Sequence, residues 1–118
     1  MPRPPQDKRA LGRLAEDDAL TYLLLQGLVL VQRNFLCQGG ELDLIMRDGK
    51  SIVFVEVRQR SSQNFGGALA SITPTKQRRM VRAAQTWLLT QKSLPACRFD
   101  AVVIDGKRME WLKNILDM

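Results

Sequence analysis

Residues 39–60 read GGELDLIMRDGKSIVFVEVRQR. Two mainly apolar runs flank an Asp48-Gly49 pair, and that dipeptide between such runs is a strong signal for a tight hairpin turn. The spacing predicts one strand over about 41–47 and the next over about 50–58. A turn centred on 48–49 sets the pairing: Arg47 opposite Lys50, Ile45 opposite Ile52, Asp43 opposite Phe54, and Glu41 opposite Glu56. Side chains alternate between the faces of a strand. One face therefore carries Leu42, Leu44 and Met46 with Val53, Val55 and Val57, and must be core. The other carries Ile45, Ile52 and Phe54 near the turn, and Glu41, Asp43, Glu56 and Arg58 at the far end.

Those acids need an explanation. Strands disfavour Asp, and a buried carboxylate is costly unless it is paired or bound to a metal. Like charges opposite one another across strands repel. Two arrangements relieve the repulsion. A divalent cation does so, and an all-oxygen ligand set suits Mg²⁺ or Mn²⁺ rather than zinc. An ion-pair cluster with Arg58 and Arg60 does so without metal.

Outward from the hairpin, Leu11, Ala15, Ala19, Tyr22 and Leu23 form a helical stripe. A helix capped by Asp7 should run to about Gln26, with Gly27 as its stop, and a strand should follow over about 28–36. Small Gly12 would let this helix pack closely on the sheet. Beyond the hairpin lies QRSSQNFGGALASIT, long for a connection, in which Phe65 reads as a local anchor or a wedge against nucleic acid. Thr73-Pro74 starts a second helix that should reach about Lys92 before SLPA breaks it. RFDAVVID reads as a fourth strand and RMEWLKNI as a short fifth. The order α-β-β-β-α-β-β points to an α/β protein with a mixed sheet and helices on its faces. Residues 1–6 read as a disordered tail and 7–118 as one domain.

Composition narrows the chemistry. The chain has 118 residues and no histidine, which removes Ser-His-Asp, Cys-His and His-ligated zinc catalysis. Two cysteines are too few for a disulfide scaffold or a Cys-only zinc site. No signal peptide or membrane span is visible, so a cytoplasmic protein with no membrane partner is expected. A net charge of +6 suggests a polyanionic partner, with nucleic acid first. The second helix focuses that charge: Lys76, Arg78, Arg79 and Arg82 crowd its first two turns. Cations there oppose the helix dipole, so phosphate contact is a better account of them than helix stability. Arg60 could add a further phosphate contact.

GELDLI, FVEVRQR, FGGA, the basic helix from Lys76, and RFDAVV, in that order, resemble the YraN-like family of uncharacterised bacterial proteins. That family is placed in the restriction-endonuclease-like PD-(D/E)xK superfamily and is similar in pattern to archaeal Holliday junction resolvases. The resemblance covers about Gly12 to Ile104 and implies a three-layer restriction-endonuclease-like fold. It implies that Asp43 and Glu56 are metal ligands, that Val57 lends its backbone carbonyl, and that Glu16 completes the shell. Glu41 belongs to the GELDLI variant of the motif, with a less defined role at the catalytic centre. Arg58 stands where the superfamily usually has a lysine. Arginine stays protonated at neutral pH, so it would bind phosphate rather than act as a base.

The expected function is a Mg- or Mn-dependent endonuclease acting on DNA, branched DNA included, through Asp43, Glu56, Arg58 and Glu41. A non-catalytic nucleic-acid-binding protein on the same fold is the alternative, motivated by Arg58. An assembly protein with a merely ion-paired acidic cluster is the third. Junction-acting relatives suggest a homodimer.

Overall fold

The first helix ends where glycine lets it end. In the computed structural model, which describes residues 8–60 and 72–116, α1 spans Lys8–Leu25. Ala15, Ala19 and Leu23 recur one turn apart and form its buried stripe. Gly27 adopts φ +96°, its N–H donates to Leu24 O, and Leu28 N–H donates to Leu23 O. This is a Schellman ending, and Leu23 and Leu28 share one apolar cluster, as that motif favours. Gly12 plays no packing role of the expected kind, since a Cβ there would meet no atom within 4 Å. The expected tail and Asp7 cap, Phe65 with most of its connection, and the Arg60 side chain lie outside the described residues.

The remaining elements are β1 Val29–Cys37, β2 Gly40–Asp48, β3 Ser51–Arg60, α2 Pro74–Leu88, β4 Cys97–Asp105 and β5 Arg108–Leu116. Strands lie in the sheet in sequence order, β1-β2-β3-β4-β5. Neighbours run antiparallel except β3 and β4, which are parallel. A parallel pair needs a long crossover, and α2 lies within it. The α/β class and the order α-β-β-β-α-β-β are those expected from sequence. Ala15, Ala19 and Leu23 of α1 pack on Leu44, Met46, Val53, Val55 and Val102. Met80, Ala83, Ala84, Trp87 and Leu88 of α2 pack on Ile45, Ile52, Phe54 and Phe99. The sheet is thus sandwiched between the two helices. Helix α2 stops at Leu88, short of Lys92. Leu89 and Leu94 are exposed, so nothing apolar anchors a further turn, and the Thr90 hydroxyl donates to the terminal Trp87 carbonyl.

The hairpin turn differs from the expected one by a residue. Asp48 pairs with Ser51, so the turn residues are Gly49 and Lys50. Gly49 has φ +62°, and Lys50 is not among the residues with positive φ. A turn with glycine first and positive φ only there matches type II′. The β4–β5 hairpin repeats the device: Asp105 pairs with Arg108 around Gly106, which has φ +60°. Moving the turn by one residue moves each partner by two and preserves the faces. Ile45 is therefore opposite Phe54, not Ile52, and Arg47 opposite Ile52, not Lys50. Continued outward, this register brings Asp43, not Glu41, level with Glu56.

One residue departs from the expected faces. Leu44 lies in the α1-side cluster, but Leu42 lies in the α2-side cluster. Strand β1 turns over at the same level. Arg33, paired with Leu44, reaches α1 acids, while Phe35, paired with Leu42, packs on the α2 side. Residues two apart on a regular strand share a face. The β1–β2 ribbon therefore changes faces between these pairs, at Asn34, which has φ +53°, and at Asp43. The β2–β3 ladder also ends there, at Leu44–Val55.

Candidate functional site

The change of face is what builds the site. Asp43 sits where the ribbon turns over, so its carboxylate faces the end of β3 instead of either helix. Asp43 Oδ2 accepts the Val57 N–H at 2.8 Å. Its charge acts on Glu16 of α1 from one side and on Glu56 of β3 from the other. Glu16, Asp43 and Glu56, named from the sequence as a ligand set, thus form one electrostatic group.

Glu56 is the most constrained member. It is 1% exposed, and its Oε2 has no hydrogen-bond donor among the described residues. Burial first, and then the Asp43 charge, push its pKa up to about 8. Burial likewise raises the Asp43 pKa, against the opposing Val57 hydrogen bond. Glu16 is raised by burial and then by Asp43, and its Oε1 is buried with no hydrogen-bond donor among the described residues. Arg33 approaches Glu16 only to 3.6 Å, while it meets Asp17 at 2.8 Å.

Among the described residues, Lys76 is the cation that bridges Glu41 and Glu56. Its Nζ lies 3.0 Å from Glu41 Oε1 and 3.2 Å from Glu56 Oε1. With Glu56 raised to about 8, the second contact at neutral pH is an ammonium donating to a largely protonated carboxyl more than a full ion pair. The backbone explains the reach. Thr73 Oγ1 accepts the Lys76 N–H at 3.1 Å and caps α2. A Cβ on Gly40 would collide with the Arg79 carbonyl and lie 2.9 Å from Ala83 N, so only glycine lets α2 close on β2 here. Sequence reasoning assigned Lys76 to phosphate and left Gly40 aside. The available signal was helical phase: Lys76, Met80 and Ala83 share one face, and Met80 and Ala83 are buried.

Arg58 takes no ion pair with the acids among the described residues, and its Nε is buried without a partner. Its charge lowers the Glu56 pKa, but less than that of Lys76 does. Arg78, Arg79 and Arg82 are exposed and line an open groove of about 730 Å³ along α2, with Gly39, Thr75 and Gln85. Arg79 also stands 3.9 Å from Glu41 Oε1, so the groove adjoins the acids. The four cations of α2 therefore divide, three to the groove and one to the carboxylates.

A hard divalent cation fits part of this donor set. The donors are all oxygen, two of them buried without hydrogen-bond donors. Among the described residues, however, no three acidic or other ligating side chains are gathered tightly enough to enclose an ion. The fit is therefore to an ion held by Asp43 and Glu56 that keeps water in its shell, as Mg²⁺ commonly does. Cys37 and Cys97 form no disulfide. No helix among the described residues is long and apolar enough to cross a membrane.

Residues 15–104 match the model of an uncharacterised protein family, UPF0102. A UPF0102 protein of Herminiimonas arsenicoxydans is 52% identical over 115 residues, covering 98% of this chain and 93% of that protein. One of Cupriavidus metallidurans is 56% identical over 117 residues, covering 98% and 87%. One of Dechloromonas aromatica is 58% identical over 105 residues, covering 89% and 87%.

Proposed function

We propose, for a chain that belongs to the uncharacterised protein family UPF0102, a metal-dependent nuclease of the restriction-endonuclease-like kind that hydrolyses phosphodiester bonds in DNA. One observation carries the reading: Glu56, 1% exposed, keeps an oxygen without a donor among the described residues, beside the half-buried carboxylate of Asp43. Such an arrangement is unfavourable by itself and favourable around a cation. Asp43 and Glu56 would hold Mg²⁺ or Mn²⁺, with Glu16 on the α1 side. The ion would supply Lewis acidity and a lowered pKa for water. Asp43 holds the end of β3 through the Val57 N–H, and the Val57 carbonyl would be a further oxygen ligand. Arg58, protonated and with Nε unpartnered, is suited to a phosphate oxygen and to the charge that develops on it. Arg78, Arg79 and Arg82 would hold the backbone of the nucleic acid in the groove. A cytoplasmic location and a homodimer belong to this proposal. The exposed apolar residues Val29, Leu30, Val31 and Leu36 on the open edge of β1 offer the surface for a second copy.

A second reading, non-catalytic nucleic-acid binding on the same fold, is favoured by one observation: Lys76 already neutralises Glu41 and contacts Glu56. Calorimetric titration of Mn²⁺ into wild type, Asp43→Asn and Glu56→Gln, with and without a short DNA duplex, separates the two. The nuclease reading expects binding that both variants lose, together with metal-dependent cleavage. Duplex binding with no metal binding under either condition would leave only the second reading.

A further inference from the structure

Lys76 is directed at the acids by the fold itself. Its backbone is held by the Thr73 cap, and the helix that carries it is seated on Gly40. Its side chain is 21% exposed, and its ammonium contacts two carboxylates from different strands, Glu41 of β2 and Glu56 of β3. A surface lysine reaching for phosphate would be more exposed and unpaired, as Arg82 and Arg78 are toward acids.

We infer that Lys76 is a positioning residue whose ammonium stands in for the cation on Glu56 in the metal-free protein, and that a divalent ion loads between Asp43 and Glu56 only by displacing that ammonium. This rests on the nuclease reading, which supplies the ion. The physical reason is exclusion. An ammonium 3.2 Å from Glu56 Oε1 uses one of the oxygens an ion would take, and its charge repels a dication in a partly dry site. Lysine suits such a role because its charge sits on a flexible four-carbon stem and can leave without moving the helix. Arg58 is unsuited, since it contacts neither carboxylate among the described residues. The arrangement has a function. It keeps the end of the sheet neutralised and ordered without metal, and it sets a threshold concentration for loading.

The test is Mn²⁺ calorimetry on the metal-free, full-length protein, comparing wild type with Lys76→Gln, Lys76→Met and Lys76→Arg. Lys76→Gln and Lys76→Met remove the charge. Each is expected to bind Mn²⁺ about tenfold more tightly than wild type, because the ion no longer competes. Lys76→Arg, which keeps the charge, is expected to stay near wild type. Met keeps the aliphatic stem and serves if the Gln variant does not fold. A second readout is thermal unfolding. Lys76→Gln should melt lower than wild type in EDTA, and saturating Mn²⁺ should close the gap. If the charge-removing variants bind no more tightly than wild type while Asp43→Asn binds nothing, the displacement is wrong and the metal site stands. If no protein binds metal, with or without duplex, the displacement and the nuclease reading fall together.

Discussion

Among the described residues two carboxylates are fully buried, and their partners separate structure from chemistry. Asp100 is 0% exposed, but Arg98 Nε, Trp111 Nε1 and Asn114 N–H all donate to it. It is a satisfied structural group that joins β4 to β5. Glu56 is 1% exposed and has Lys76 on one oxygen and, among the described residues, no hydrogen-bond donor on the other. That difference gives a pH dependence. Folding raises the Glu56 pKa from the ordinary 4.5 to about 8. Between those values the folded chain keeps a proton that the unfolded chain has released, so stability falls as pH rises. The raised Asp43 pKa acts in the same direction. Glu56→Gln should therefore be more stable than wild type at pH 8.5 by roughly 2 kcal/mol and near wild type at pH 5, in EDTA. Urea denaturation across that range checks it, and wild-type stability that climbs toward pH 8 would place Glu56 among ordinary carboxylates. At this scale Asp43 and Glu56 were legible in the sequence, because acids inside strands stand out. Asp100 was not, because its donors come from three separate positions: Arg98, Trp111 and Asn114.

Among the elements, α2 carries the most consequence. Its start was legible, since Thr73-Pro74 is a local cap and Thr73 does accept the Lys76 N–H. Its seat on β2 was not, because that depends on Gly40 meeting Arg79 and Ala83 across the layers. Gly40→Ala should destabilise the protein by about 3 kcal/mol, since the colliding atoms are helix backbone and cannot swing aside. The same variant should weaken the hold of Lys76 on Glu41 and Glu56. Chemical denaturation reads the first effect, and a loss of less than about 1 kcal/mol would mean that α2 shifts freely on the sheet. The hairpin shows the same division. Asp48-Gly49 announced a turn, but which residue took the first turn position depended on a single φ angle at Gly49.

At the scale of the whole molecule, the +6 charge acquires a direction only after folding. Arg78, Arg79 and Arg82 lie along one groove beside the acids, while Lys76 is withdrawn from it. Replacing those three arginines with glutamine should lower the salt dependence of duplex affinity by about two to three in slope, roughly one per lost phosphate contact. Fluorescence anisotropy over a range of KCl concentrations measures this, and an unchanged slope would move the nucleic acid off this face. The sequence by itself determined the α-β-β-β-α-β-β order, the two apolar faces of the hairpin, and the carboxylates that interrupt them. These follow from periodicity, turn chemistry and helix caps, which act over a few residues. Only the tertiary structure decided that Ile45 pairs with Phe54, that Leu42 leaves its expected face, and that Lys76 instead of Arg58 meets the acids. Each depends on a two-residue shift in pairing, a change of face shared by two strands, or a helix closing on a glycine. Such events are settled by contacts between distant segments and leave no local pattern to read.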